Sequence, residues 1–370
     1  MRKIGILAAT LLGASASVAF AAPPQQTNTF TVDCSRNQTI SAAIARGDVH
    51  KPLILNIRGT CTEFIRIDRD NVTLHGDPDA SINAPNSDID LITIAADGIT
   101  LENLTLTGGY YGIRQDAAVR FVITKTVIQD TRSDGIRVFV GDTRVNDSTV
   151  QRAGGSGVNL TRGGSLGASN SRFLDNASLG IRASGNSTVS ASGGRISGNV
   201  TGVLLEAGSH GSFSGVTISE NTETGIKVAY SQAIIGNKNV ISNNANWGIW
   251  VLNGSSAAIN GNRIEDNGWD GVSGDIGSTL TMIGNQIRRN GAFGIACRTN
   301  CTIVDQGDTL ENNGAGGFLL WQASKLSFGD NPTHWSGDGW GLQCADKESS
   351  VGSVGLFDGT VSDTCTDFNN

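Results

Sequence analysis

Apolar and polar positions along this chain form a short motif that returns every 22 or 23 residues. A glycine followed by an apolar residue occurs at Gly112-Ile113, Gly135-Ile136, Gly157-Val158, Gly180-Ile181, Gly202-Val203, Gly225-Ile226, Gly248-Ile249, Gly271-Val272, Gly294-Ile295 and Gly317-Phe318. Six or seven residues before nine of these anchors lies a second apolar column: Ile128, Val150, Phe173, Ile196, Ile218, Ile241, Ile264, Ile287 and Leu310. Three residues further on comes a polar column, Asn176, Asn199, Asn221, Asn244, Asn267, Asn290 and Asn313, with Thr131 and Ala153 at its position in earlier repeats. A period of this length predicts a solenoid, each unit burying its apolar face against the next.

The segments after the anchors are short and β-branched, and glycine, serine and asparagine interrupt every candidate helix between them. Short strands joined by bends are therefore expected. Asparagine at a fixed corner is expected to supply the left-handed backbone of a tight bend, and its amide can bond up and down the stack. A leucine-rich repeat is excluded because the core columns are isoleucine and valine. Residues 39–45 read as a short amphipathic helix able to plug the N-terminal end, since an open sheet edge must be covered.

From about Val72 to Leu342 these columns resemble the right-handed parallel β-helix repeat family of the pectin-lyase-like superfamily. The resemblance implies an all-β, single-stranded right-handed parallel β-helix solenoid with capped ends. The expected organisation is a signal peptide over 1–21, an N-terminal cap over 22–60, the β-helix over 61–345 and a C-terminal cap over 346–370.

The signal peptide is read from basic Arg2 and Lys3, an apolar run to Phe20 and the small-x-small site Ala19-Phe20-Ala21. It predicts a secreted or periplasmic protein. No later stretch is long and apolar enough to cross a bilayer. The formal net charge of -7, without a basic run, argues against a nucleic-acid partner, and a monomer is expected. Six cysteines in an exported chain imply disulfides. Proximity favours Cys34–Cys61, Cys297–Cys301 and Cys344–Cys365 among the pairings that six allow.

Side chains alternate in and out along a strand, so the residue two after each anchor glycine should face out. That column contains Arg114, Arg137, Arg182, Lys227 and Trp250, and Trp247 and Trp321 lie in the flanking outward columns. A basic stripe leading to aromatics suits an extended acidic polysaccharide, with arginine reading carboxylates and indoles stacking on sugar faces. The alternative is a solvated sheet surface whose cations pair with Asp116, Asp134 and Glu206 and whose tryptophans are buried under a loop.

Many members of the superfamily cleave or epimerise uronate polymers by removing the proton at C5, which needs a cation over the carboxylate and groups that move protons. The resemblance thus implies a lyase or C5-epimerase. Arg182, Glu206, Lys227 and Tyr230 are the catalytic candidates, with His210 near them in sequence. Tyr111, Arg114, Arg137, Trp247, Trp250 and Trp321 are candidates for substrate binding. The alternative is a non-catalytic glycan- or surface-binding β-helix, an adhesin or scaffold. It gains from the constant interval between anchors, which leaves no room for loops that would wall a cleft. No metal or other cofactor is expected; Asp270 and Asp275 could at most share a calcium ion, and the scattered histidines do not suit zinc.

Overall fold

The computed structural model describes residues 27–370 apart from 117, 338, 353–356, 363 and 368–370. The proposed signal peptide, 1–21, lies outside the described residues. The described chain winds into three parallel sheets that run the length of a solenoid. Sheet 1 has 16 strands and sheets 2 and 3 have 13 each. Each coil contributes one strand to sheet 3, then sheet 2, then sheet 1.

The register explains the sequence period. Ile113 pairs with Ile136, Ile136 with Val158, and Val158 with Ile181. The same column continues through Ile226, Ile249 and Val272. One period therefore equals one step of ~4.8 Å between neighbouring strands. Isoleucines and valines a coil apart stack into a continuous core, in which Ile113, Ile136, Ile181, Ile226 and Ile249 are fully buried.

The anchor glycines are required by contact. A Cβ on Gly225 would lie 2.5 Å from the carbonyl oxygen of Gly248 and 2.9 Å from Asn244 Nδ2. No anchor glycine has positive φ. Their period therefore marks where neighbouring coils approach most closely.

The asparagine column forms a buried ladder at the bend between sheets 3 and 2. Asn176 Nδ2 donates to Asn199 Oδ1 at 3.0 Å, Asn221 Nδ2 to Asn244 Oδ1 at 2.8 Å, and Asn290 Nδ2 to Asn313 Oδ1 at 3.0 Å. Each carbonyl also accepts a backbone N–H of the preceding coil, as from Asn221 N to Asn244 Oδ1. The ladder residues do not take the left-handed conformation expected of them. The preceding residue does: Asp175, Glu220, Asn243, Asp266, Arg289 and Asn312 have φ between 52° and 59°. The ladder amide must point inward to bond its neighbour, so the sharp turn falls one position earlier, on exposed side chains. There Arg152 pairs with Asp130 and Arg289 with Asp266, holding both carboxyls below their ordinary range.

The other two bends carry ladders as well. Asn239, Asn262, Asn285 and Asp308 stack between sheets 1 and 3. Ser187, Ser209, Ser231 and Ser255 link backbone to hydroxyl between sheets 2 and 1.

A helix, Ile40–Arg46, capped by the Thr39 hydroxyl, buries Ile40, Ala43 and Ile44. Strands Asn28–Asp33 and Leu53–Arg58 already pair as the first members of sheet 1. The disulfides are Cys34–Cys61, Cys297–Cys301 and Cys344–Cys365, and no described cysteine is free. The first ties the N-terminal turn to the first strand of sheet 3, and the last joins the end of sheet 2 to the C-terminal segment. Three disulfides fit an extracellular or periplasmic protein. Among the described residues no helix is long and apolar enough to cross a membrane.

Candidate functional site

Sheet 2 holds the predicted outward column in register. Arg114 pairs with Arg137, Arg137 with Asn159, Asn159 with Arg182, and Lys227 with Trp250. The cations are not a bare stripe, however. Arg114 Nε donates to Asp116 at 2.7 Å, and Arg114 also lies 3.6 Å from Asp90. Asp116 holds the guanidinium even more firmly protonated than usual. Arg137 Nη1 donates to buried Asp134 at 3.2 Å, and Asn159 Nδ2 donates to the same carboxylate oxygen at 3.0 Å. Arg182 contacts Glu206 Oε1 through Nε at 2.8 Å and Nη2 at 2.5 Å. Further along, Arg298 donates to fully buried Asp270 at 2.8 Å and to Ser273 at 2.8 Å.

Two of these pairs, Arg137–Asp134 and Arg298–Asp270, share one local cause. An aspartate just before an anchor position accepts the backbone N–H of the next coil, as Asp134 does from Ser156 at 2.9 Å and Asp270 from Phe293 at 3.1 Å. An arginine on the sheet face then neutralises the carboxylate. Arg137 and Arg298 thus complete the bend between sheets 3 and 2. Asp270 is held in this way, whereas Asp275 accepts the N–H of Ile276 at the opposite end of the strand.

Lys227 differs. No carboxylate pairs with it among the described residues. Its Nζ lies 4.3 Å from the Trp250 ring centroid, a cation–π contact. Trp250 stacks on Trp247 with centroids 4.3 Å apart, and Trp269 meets Trp247 edge-on at 4.9 Å. Trp269 and Trp321 are 52% and 44% exposed, so indole surface is open to a ligand over these coils. Trp321 pairs in register with Arg298. Trp269, which belongs to the aromatic cluster of the later coils in sequence, and Arg298, in an outward column, join this patch, Trp269 from a bend and Arg298 from a strand end.

At the other end of the face, Tyr111 meets Tyr110 edge-on at 4.7 Å, and burial raises its hydroxyl above the ordinary value against the opposing pull of Arg137. Arg114 and Arg137 lie over the Phe139 ring at 5.1 and 4.9 Å. The catalytic candidates come together in part. Glu206 ends its strand opposite Ala229, which places Tyr230 one residue beyond, at the bend. Tyr230 is 66% exposed there, and among the described residues no hydrogen bond joins it to Glu206. His210 belongs to sheet 1.

A shallow depression of about 420 Å³ lies on the outer face of sheet 1, lined by Thr188, His210, Gln232, Ile234, Ser256 and Thr279 among others. Between Ser165 and Gln306 the outward positions of sheet 1 include no lysine, arginine, aspartate or glutamate. This neutral face was legible in the sequence as alternate Ser, Thr and Ala positions.

The chain belongs to the right-handed β-helix family, whose model matches residues 57–212 and 179–332. By sequence, no curated protein matches the chain. Among solved structures it is similar to the receptor-binding domain of the siphovirus 9NA tailspike, with 11% identity, a TM-score of 0.54, and coverage of 91% of this chain and 74% of that one. It is also similar to a double mutant of the periplasmic alginate epimerase AlgG, with 12% identity, a TM-score of 0.49, and coverage of 85% and 83%. The A-module of mannuronan C-5 epimerase AlgE6 from Azotobacter vinelandii gives 14%, 0.45, 83% and 94%. At such identities the likeness is one of fold.

Proposed function

We propose that this β-helix binds an extended uronate-containing polysaccharide outside the cytoplasm, along sheet 2 from Lys227 to Trp321, without acting on it chemically. The observation that carries the reading is the Lys227 ammonium seated on Trp250 beside the exposed edge of Trp269. A cation next to indole faces offers a carboxylate a partner and a sugar ring an apolar platform. Four coil steps separate Lys227 from Trp321, ~19 Å of surface at the strand spacing. A binding role is favoured over a lyase or epimerase because Arg182 and Glu206 neutralise each other, leaving neither as a free carboxylate clamp or an unengaged base.

Titration of the purified protein with alginate, polygalacturonate and a neutral glucan tests this reading. Binding of the two uronate polymers is expected at low ionic strength, weakening as salt screens Lys227. Lys227→Ala with Trp269→Ala is expected to lower affinity about tenfold or more, ~1.4 kcal/mol per decade. Absence of uronate binding at low salt removes the proposal. Appearance of the absorbance of an unsaturated product restores the lyase reading and removes the non-catalytic one.

A further inference from the structure

Two substitutions against the repeat pattern fall together near the C-terminal end of the solenoid. On the strand Thr302–Gln306 the inward position 305 aligns with Met282 on one side and Phe328 on the other, yet it is an aspartate. Three residues later, Asp308 occupies the ladder position held by Asn239, Asn262 and Asn285 in preceding coils. Both side chains are fully buried. Asp308 accepts the ladder bonds from Asn285 but, as a carboxyl, has no amide to donate onward, and Asp305 puts a carboxyl where the repeat puts an apolar side chain. An apolar residue would fill position 305, and asparagine would continue the ladder. Local rules broken at one place without a packing gain mark a site under a different requirement.

Asp308 Oδ1 accepts from Asn285 N at 2.7 Å and from Asn285 Nδ2 at 3.0 Å. Asp305 Oδ1 accepts from the Thr333 hydroxyl, which stands one coil further on, while Asp305 Oδ2 has no hydrogen-bond donor among the described residues. The two carboxyls lie three residues apart in the same closed core, and among the described residues Asp305 Oδ2 has nothing to offset a charge. Two carboxylates buried together without a cation cannot both ionise except at high cost. Among the described residues no cation faces the pair. Met282 and Phe328 flank Asp305 in sheet 1, and Asn285 and Thr333 flank Asp308 at the bend. His334 offers Asp308 only its backbone N–H, with its imidazole turned to Asp358 at 2.7 Å. Lys325 begins the next strand of sheet 1 with an exposed side chain.

We propose that Asp305 and Asp308 form an acid-stabilised lock, a buried carboxyl pair that holds the last coils closed while protonated and loosens them when it ionises. Burial pushes both groups up, Asp305 to about 6. A carboxyl whose folded value exceeds its unfolded value adds stability that is present in full at acid pH. That stability is lost as pH rises through the folded value. The lock therefore acts between mildly acid and neutral pH, opposite in sign to the surface ion pairs, which weaken in acid.

The test compares thermal midpoints of wild type and Asp308→Asn from pH 5 to pH 8, with Asp305→Asn as a second variant should the first fail to fold. Asn at 308 continues the ladder, and Asn at 305 keeps an acceptor for Thr333. The midpoint difference, variant minus wild type, should be smallest at pH 5 and rise by several degrees towards pH 8. In wild type, amide exchange corrected for intrinsic rates should speed up at pH 8 in Thr302–Gln306 and Lys325–Phe328 but not in Ser165–Ser169. A midpoint difference constant across pH in either folded variant overturns the proposal. So does a wild-type midpoint at pH 8 that falls on chelator treatment and returns with calcium, since a bound cation would then neutralise the pair.

Discussion

Gly225→Ala is expected to destabilise the coil stack by about 3 kcal/mol, the upper range for forced overpacking. The added methyl would sit 2.5 Å from the Gly248 carbonyl oxygen, 2.9 Å from Asn244 Nδ2 and 3.0 Å from Ile241 Cγ2. Relief would mean separating two coils held by parallel pairing from Ile226↔Ile249 to Ala229↔Leu252. Backbone cannot yield as a flexible side chain can, and the adjoining ladder would be strained with it. Gly254→Asn provides the control. Gly254 has φ of 68° with nothing within 4 Å of an added Cβ, and asparagine tolerates that region. Its cost should stay below about 1 kcal/mol. Chemical denaturation of both variants checks the pair. Equal stabilities would mean that the anchor glycines are not set by contact between coils.

Asn244→Leu is expected to cost about 4 kcal/mol. The Asn244 carbonyl accepts from Asn221 N at 3.2 Å and Asn221 Nδ2 at 2.8 Å, while its amide donates to Asn267 Oδ1 at 2.9 Å and Ile218 O at 3.3 Å. Leucine supplies none of these. The Asn221 backbone N–H and side-chain amide lose their bonds to residue 244 away from water, and the Ile218 carbonyl loses the amide donor, while the Asn267 oxygen keeps only the backbone N–H of residue 244 at 3.1 Å. Each buried group left unpaired costs about 1–3 kcal/mol. Pairing the change with Asn267→Leu gives a sharper result. The bond between the two is lost once only, so the double variant should be less destabilised than the sum of the singles. Strict additivity would show that the amides act separately and not as a ladder.

The sequence by itself determined the solenoid, the coil length, the inward column on sheet 2, one ladder and the three disulfides. Each was legible for one physical reason. Parallel strands one coil apart repeat the same environment, so a contact between Ile226 and Ile249 is written as a spacing of 23 residues. Tertiary structure alone decided what happens at the bends. There the chain leaves the two-residue alternation, and a side chain's direction depends on backbone angles that residue type does not fix. Thus the left-handed turn fell on Asn243 and not on Asn244. The serine ladder remained hidden because serine is common throughout the chain. The arginine column showed its direction in sequence, and its candidate partners Asp116, Asp134 and Glu206, but not whether the pairs would form. Whether Arg182 met solvent or Glu206 depended on a reach across coils of a few ångströms. The same limit hid the carboxyl pair. Asp305 and Asp308 read as ordinary polar residues near a turn, and only the closed core, which excludes water from both, makes their charge costly.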